Sequence, residues 1–539
     1  MTLTGMRASR GGYPRKGDLC YSRRPPGSEM QHQQDSRPTE TPSPSGGDRR
    51  HGTDYSLYVV LLATIGFFVA RIPVLPHRIF DADEFQHSHA AWSVFKGMVI
   101  YKDFFEHHTP WYYYALSPVF HWFDVDGSFE SARHFLIFGR ALSLALTMLS
   151  VLLVILIGRR LENRRVGLLA GLFCASQPVF CQKTIEIRPD VLALPFFLSG
   201  LWFLVRGLDT STASTRKRLG WFLGGGLSLG AAIMCTQKML FVLPGALLGL
   251  GIWSLFAGQN NNQGSRGSRI LLALAFFLGM GVPATLTWGM FALHHAGGAF
   301  ITNNFLLNSK WTRAVEEQFL RVLETSWPIL VLSLVGASVS LYRFFRSKQR
   351  TYGGFVLICT LLGLIAGILV VPVAHRQYYL MPLPIACLFA AQGLSFLIER
   401  AQERARAWLL VLAMIPLMVL PVRDLREAFT LRNDGQLARL RTVFASTKPT
   451  DLVMDGWEGT GVFRPHAFYY YFLHDESLDM LPRAQLDTYL DALERGQIRP
   501  RLIALDDHLA LLGSRFLRFV KRNYVSRDGF LYFSRDGFE

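Results

Sequence analysis

Residues 141–157 read ALSLALTMLSVLLVILI, a run without a single charge. About 20 residues of this kind span the hydrocarbon core of a bilayer, and comparable stretches recur along the chain. Apolar segments fall at 57–76, 133–157, 166–182, 190–206, 220–235, 239–257, 270–291, 327–345, 353–372, 378–398 and 407–421. A soluble chain of 539 residues would divide into several domains. This one is expected to be a polytopic α-helical membrane protein of about eleven transmembrane helices.

The two ends differ from that middle. Residues 1–54 are rich in Arg, Gly, Pro, Ser and Gln and nearly lack large aliphatic side chains, so they cannot bury enough surface to offset ordering. They read as a disordered cytoplasmic tail, and not as a signal peptide, since no small-residue cleavage site follows the first apolar run. The net charge of +16 would point to nucleic acid if it were clustered on a soluble face. Here the basic residues sit in short connections between apolar runs. Arg159, Arg160, Arg164 and Arg165 lie in the second connection, Arg206, Arg216, Lys217 and Arg218 in the fourth, and Arg266 with Arg269 in the sixth. Arg343, Arg346, Lys348 and Arg350 lie in the eighth, and Arg400, Arg404 and Arg406 in the tenth. All are even connections, so the positive-inside rule places the N-terminus in the cytoplasm and the odd connections outside. No nucleic-acid partner is expected. The six cysteines form no CxxC pair and read as small apolar filler.

The exterior side then holds a long first loop, 77–132, a second loop, 292–326, and the tail 422–539, leaving 55–421 as the membrane domain. The tail alternates helical stretches (434–446, 483–495, 507–521) with strand-like Asp451–Asp455 and Arg501–Asp506, and ends in Gly529–Phe533, which reads as an edge strand. A small α/β exterior domain is expected. In the second loop, His294, His295, Lys310, Trp311 and Arg313 read as a solvated stretch.

Titratable residues crowd the first loop: Asp81, Asp83, Glu84, Asp103 and Glu106 stand with His87, His89, His107 and His108. Residues 84–97 suit an amphipathic helix lying on the bilayer surface, with Phe85, His89, Trp92 and Phe95 on one face. Asp81 followed three residues later by Glu84 is also a capping box, which needs no catalysis to explain it. Trp111, Tyr112, Tyr113 and Tyr114 read as an interfacial aromatic belt. The second acidic element, Phe105-Glu106-His107-His108-Thr109-Pro110, leads straight back towards the bilayer, so two acidic elements bracket one helix.

With these motifs the sequence resembles the GT-C glycosyltransferases that use polyprenyl-phosphate sugars, in particular the protein mannosyltransferases and the aminoarabinose transferases of lipid A. Asp83-Glu84 is similar to the Asp-Glu pair that opens their first exterior loop. The Phe105–Pro110 element resembles their F-E-K-P-P-L or D-x-H-P-P-L, with Thr109 in place of the first proline and a histidine where one branch has lysine. The likeness continues through Arg188-Pro189-Asp190, Thr236-Gln237-Lys238 and His375-Arg376-Gln377-Tyr378-Tyr379-Leu380.

The resemblance implies transfer of a sugar from a polyprenyl-phosphate donor to a lipid, glycan or protein acceptor, with inversion, at the exterior face of the plasma (inner) membrane. Such a displacement needs a base for the acceptor's proton, and Asp83 is the expected one. Glu84 and Glu106 would orient the acceptor. No cofactor is required by the pattern; if a divalent metal is held, Glu106 with His107 are its expected ligands. Lys238, Arg376 and Arg188 are expected to bind the donor phosphate, where snorkelling to the interface is the plain alternative. His107, His108, Asp190 and Tyr379 are expected in support. A transporter or flippase for a lipid-linked or small solute is the rival reading, though such proteins keep charges near the bilayer midplane and show paired repeats.

Overall fold

The computed structural model describes residues 55–535, apart from 209–213, 258–263, 311–315, 347–351, 372–373, 474–476, 479–480 and 527. The expected N-terminal tail, Lys348, Arg350, Trp311 and Arg313 lie outside the described residues.

The helices in chain order are α1 (Tyr55–Val69), α2 (Ala82–Phe95), α3 (Trp111–Leu116), α4 (Phe129–Leu161), α5 (Arg164–Ser176), α6 (Pro178–Lys183), α7 (Pro189–Leu208) and α8 (Thr215–Cys235). They continue as α9 (Val242–Phe256), α10 (Arg266–Leu293), α11 (Gly297–Ile301), α12 (Glu316–Arg346), α13 (Tyr352–Val370), α14 (Pro382–Arg400), α15 (Glu403–Thr430) and α16 (Asp434–Ser446). Among the described residues, nine helices are long and apolar enough to cross a membrane: α1, α4, α7, α8, α9, α10, α12, α13 and α14. The expected count of eleven is corrected to that extent. The segment 166–182 is broken where Pro178 opens α6, leaving α5 with 13 residues, about 20 Å of helix against a core of about 30 Å. The segment 407–421 lies within α15, whose 28 residues include Glu403, Arg404, Arg423, Asp424 and Arg426.

Both of these pieces nevertheless return the chain to the end that holds α2. The far end of α4 is marked by Glu162, which accepts from Arg343 Nη1 at 2.6 Å and from Gln392 Nε2 at 3.1 Å. After α5 and α6, Lys183 Nζ reaches Asp81 Oδ2 at 2.7 Å. Likewise α15 runs past the expected domain boundary at 421 to Thr430, and Ile79 N donates to Leu431 O at 2.7 Å. Small residues let the bundle close: a Cβ on Gly226 of α8 would strike the Phe276 carbonyl of α10, and one on Gly245 of α9 the Cys359 carbonyl of α13.

The C-terminal region forms a four-stranded sheet of β1 (Val453–Asp455), β2 (Leu502–Ala504), β3 (Tyr524–Ser526) and β4 (Leu531–Ser534), in the order β1-β2-β4-β3. β1 and β2 are parallel, with Met454 opposite Ile503; β4 pairs antiparallel with β2 and with β3. Strand alternation sends Met454 and Ile503 to one face, against Leu490, Leu493, Phe516 and Val520, and Val453, Leu502 and Leu531 to the other, against Val443 of α16. The final run is therefore not an edge, since β3 lies outside it. The helical stretch 507–521 divides at Gly513, whose φ of 98° ends one turn before Ser514–Asn523 begins.

This domain changes the environment of α2. The capping box forms as expected, with Asp83 N donating to Asp81 Oδ1 at 3.1 Å and Asp81 N to Glu84 Oε1 at 3.0 Å. The surface helix does not: every residue from Glu84 to Ser93 is buried. Phe85 packs on Gly459, where φ is +73° and a Cβ would collide with the ring. His89 Nδ1 lies 2.9 Å from Val462 O, and the Tyr471 ring lies 4.6 Å from the His89 ring, tilted by 32°. Tyr112 and Tyr113 are buried as well, so these two are not part of a membrane belt, whereas Tyr114 is exposed; the Tyr113 hydroxyl lies 3.1 Å from His87 Nδ1.

Burial, and then the neighbouring His466, push the His89 imidazole down from 6.5 to about 3. The released helix binds a proton that the docked one refuses, so docking is fully stable above about 6.5 and weakens as pH falls towards 3, by about 1.4 kcal/mol per pH unit for this imidazole. Hydrogen exchange at 459–472, corrected for intrinsic rate, should rise between pH of about 7.5 and about 5, and His89→Phe should flatten the rise. Unchanged protection over that range would contradict the assignment.

Candidate functional site

The head of α2 is fixed first. Glu84 and Arg140 of α4 are both fully buried and meet in a two-pronged pair, Nη2–Oε1 at 2.6 Å and Nε–Oε2 at 2.9 Å. Arg140 spends its other protons on the carbonyls of Leu75, Arg78 and Ile79, at 2.8 to 2.9 Å. Its guanidinium lies 3.9 Å from the Phe80 ring centroid. Glu84 also accepts from Ile187 N at 3.2 Å. A carboxylate so saturated cannot orient an acceptor, and Glu84 is off the cavity wall described below. Its place is that of an anchor.

Beside it lies a chain of alternating charges. Lys183 joins Asp81 and, at 3.1 Å, Glu186; Arg78 reaches Glu186 at 3.1 Å. Arg188 pairs with Asp83 Oδ2 and with Glu186 Oε2, the latter at 2.7 Å. Burial alone would raise the Asp81 carboxyl, but Lys183 and then Arg188 hold it well below the usual carboxylate range. Burial likewise works against the Arg188 charge, and Asp83, Glu186 and Asp81 outweigh it, leaving the group raised well above its ordinary value. Arg188, expected to bind the donor phosphate, is here held by carboxylates and does not line the cavity described below.

Asp83 and Lys238 do meet across open space. A cavity of about 520 Å³ is walled by Asp83, Gln86, His107, His108, Gln237, Lys238, Asn304, Asn308, His375, Tyr378, Trp457 and His508, with several apolar neighbours. Asp83 is its one carboxylate and Lys238 its one ammonium among the described residues. Lys238 Nζ lies 3.2 Å from Asp190 Oδ1 and 4.6 Å from the Tyr378 ring centroid. Only Oδ2 of Asp83 is engaged by Arg188; Oδ1 accepts no hydrogen bond from a side chain or backbone group among the described residues. Arg376 faces elsewhere: its Nη1 donates to Gln182 Oε1 at 3.0 Å, and it lines a separate cavity of about 250 Å³ with Asp424 and Glu427. Tyr379 is buried off the wall. In that motif His375, Gln377 and Tyr378 are the members that face the cavity.

Glu106 is fully buried behind the wall. Its Oε1 accepts from His107 N (2.9 Å), His108 N (3.1 Å) and His108 Nδ1 (2.8 Å), and Oε2 from the Tyr471 hydroxyl (2.7 Å). The residues placed to share a metal are His87, Glu106 and His108, each with one ligand atom within 4.8 Å of the others. The expected ligand His107 stands outside that group, with Nδ1 3.6 Å from Glu106. Two imidazoles and a carboxylate suit zinc or a similar ion, although the carboxylate would have to release donors it now satisfies. Burial, with the neighbouring His108, Arg188, His107 and Lys238 charges, pushes the His87 imidazole well below its ordinary value.

Sequence reasoning missed Asn304, Asn308, Trp457, His508 and Arg140. Trp457 lies in the loop after β1 and His508 in the short helix Asp507–Ala510 after β2, and the two rings stand edge to face, 5.3 Å apart. Asp506 caps that helix and ties it to the loop after β1, accepting from Gly456 N, Trp457 N and Leu509 N at 2.7 to 3.0 Å. Only Arg140 left a sequence signal: a lone arginine ahead of an uncharged run, on the side where the other connections lack clustered basic residues.

Residues 129–288 match the model of the dolichyl-phosphate-mannose-protein mannosyltransferase family. No curated protein matches the chain in sequence. Among solved structures, the fold is similar to apo ArnT from Cupriavidus metallidurans, with 14% identity and a TM-score of 0.59 over 89% of this chain and 98% of that one. The same enzyme bound to undecaprenyl phosphate gives 13% and 0.57, over 89% and 98%. The apo Archaeoglobus fulgidus oligosaccharyltransferase gives 13% and 0.58, over 88% and 73%. These likenesses show the GT-C fold. The fold, and a family match over residues 129–288, agree with the resemblance read from the sequence.

The anchor yields a double-mutant test. Arg140→Met leaves Glu84 buried without its partner, at a cost of about 3 to 5 kcal/mol. Adding Glu84→Gln removes the stranded charge, so the double variant should melt at a higher temperature than Arg140→Met alone. Additive losses in thermal melts of the purified protein would show that the pair does not anchor α2.

Proposed function

We propose that the chain transfers a sugar from a polyprenyl phosphate to an acceptor at the outer face of a membrane, by single displacement with inversion at the anomeric carbon. The observation that carries this reading is that Asp83 and Lys238 face one cavity in which Asp83 is the only carboxylate among the described residues. A retaining, two-step route needs a nucleophilic carboxylate and a second acid–base group, whereas an inverting one needs a single base.

In the forward step the acceptor's hydroxyl or amine gives its proton to Asp83 Oδ1 as its heteroatom bonds to the anomeric carbon. The bond from that carbon to the phosphate oxygen breaks, and its electron pair leaves with the lipid phosphate. Lys238 stands where that developing charge is met. Asp190 fixes the ammonium, and Arg188, by holding Oδ2, fixes the direction of Oδ1. Glu84 with Arg140, and Glu106 with His107 and His108, hold the backbone that carries these groups. A divalent ion, where bound, would be held by His87, Glu106 and His108 and would supply further positive charge to the site.

The reading includes a topology. Nine apolar helices with α5–α6 and α15 make eleven passages between the two ends of the bundle. The ends carrying Arg159, Arg206, Arg269, Arg343 and Arg400 face the cytoplasm, and α2 with the C-terminal domain faces out. The acceptor would enter beneath that domain, past Trp457 and His508.

Asp83→Asn keeps the shape of the side chain, and Arg188 retains Glu186, so the protein should fold. Turnover should fall by roughly two to four orders of magnitude, the usual worth of a positioned base. In cells lacking the native gene, the variant should let the lipid-linked sugar accumulate to the level of the deletion, by mass spectrometry of extracted lipids. Restored turnover by Asp83→Asn would sink the assignment. Lys238→Ala should instead weaken binding of bare polyprenyl phosphate, by about tenfold or more.

A further inference from the structure

Away from the Asp83 cavity, a second opening of about 300 Å³ lies between α1, α6 and α15. Its apolar part is walled by Ala63, Gly66 and Phe67 of α1 and by Pro421, Val422 and Leu425 of α15. α1 packs on α5 and stands away from α15 at this level, since a Cβ added to Gly66 would meet nothing within 4 Å. The slot therefore follows each helix for about two turns, roughly 10 Å. Leu62, Ile65 and Val69 of α1 and Val419 of α15 are exposed beside it, an apolar surface of the kind that meets lipid.

Polar groups gather at the end of the slot nearer α2, where Arg71, Arg78, Gln182 and Asp424 form the wall. Arg71 is buried, and its Nη2 donates to Ala175 O at 2.7 Å and to Cys181 Sγ rather than to a carboxylate. Arg78 pairs with Glu186, which is off this wall. The mouth thus carries two guanidiniums against the one carboxylate of Asp424 among the described residues. Next to it lies the cavity of about 250 Å³ on which Arg376 stands, and Gln182 with Asp424 belong to the walls of both. There the balance reverses, because Glu324, Asp424 and Glu427 line it with only Arg376 and Arg423. An apolar slot is followed by an excess of positive charge and then by an excess of negative charge.

The groups of an aminophospholipid come in the complementary order: acyl chain, phosphate, ammonium. We infer that the slot between α1 and α15 holds an acyl chain of a zwitterionic phospholipid with a primary amine, its phosphate at Arg71 and Arg78 and its ammonium towards Asp424 and Glu427. A headgroup without the amine would leave the carboxylates of the outer cavity unmatched, and a quaternary ammonium has no N–H to donate to them. This lipid is not a reactant. Neither Asp83 nor Lys238 stands on either wall, and Arg78, Glu186 and Arg188, joined at 3.1 and 2.7 Å, lie between the slot and Asp83.

The test uses the full-length protein in phosphatidylcholine nanodiscs containing a small share of phosphatidylethanolamine that carries a diazirine in its acyl chain. After illumination, peptide mass spectrometry should find the label on peptides covering 63–70 and 421–428. Added unlabelled phosphatidylethanolamine should displace it about tenfold more effectively than phosphatidylglycerol of the same chains, the worth of one charge-assisted hydrogen bond. Gly66→Phe, which enters open space, should cut labelling of these peptides several-fold while labelling elsewhere and the melting temperature stay unchanged. Glu324→Gln with Glu427→Gln, both at exposed positions, should keep the label and make the two competitors alike. Full labelling of Gly66→Phe would overturn the slot, and equal displacement by the two lipids in wild type would overturn the headgroup assignment. Displacement by citronellyl phosphate at a lower concentration than by phosphatidylethanolamine would give the slot to the tail of a polyprenyl phosphate and overturn the inference as well.

Discussion

One ion pair out of reach of water, Glu84 with Arg140, sets the frame for the site. Neither group touches solvent, so each is tolerable only because the other and a ring of backbone groups satisfy it. Arg140 belongs to a long apolar helix and takes up the carbonyls of 75–79, the segment through which the chain leaves α1 and turns into α2. The first turn of α2 is thereby fastened to the bundle. Asp83, one residue before the anchor, has its direction decided by it.

From that point the remaining charges fall into pairs that leave one group of each sign on the cavity. Arg188 is held by Asp83 and Glu186, and Lys183 by Asp81 and Glu186. Asp83 keeps one oxygen towards the cavity, and Lys238, balanced by Asp190, faces it as well. The C-terminal domain completes the enclosure. Its loops are tied by Asp506, its Tyr471 reaches Glu106, and its Val462 carbonyl meets His89. The larger polar cavity thus lies at the end of the bundle under one small domain, unlike the midplane placement expected of a transporter.

What the sequence made legible was whatever depends on near neighbours. The apolar runs became helices, the capping box at Asp81 and Glu84 formed, and α16 ends at the residues its pattern implies. Asp83, His107, His108 and Lys238 stand on one wall, as motifs of one order and one side imply. The rest turns on contacts made across hundreds of residues. The 3.6-residue pattern of α2 marked one apolar face, but its polar face is also buried, with His87 against Tyr113 and His89 against the Val462 carbonyl. Arg376 and Tyr379 share a motif with Tyr378 yet point elsewhere, since a tight turn distributes successive side chains around its axis. The strand order could not be read because pairing of 531–534 with 502–504 rather than an edge position is a long-range choice. Trp457 and His508 carry no local sign of their role; only the Asp506 bridge brings them to the cavity.

Inversion requires a single carboxylate acting once, in direct displacement. The anomeric configuration of donor and product, followed by nuclear magnetic resonance during turnover by the purified enzyme, tests this most directly. A donor of one configuration giving a product of the other is the predicted result. A product that keeps the donor's configuration would require a second nucleophile in the cavity and would contradict the account.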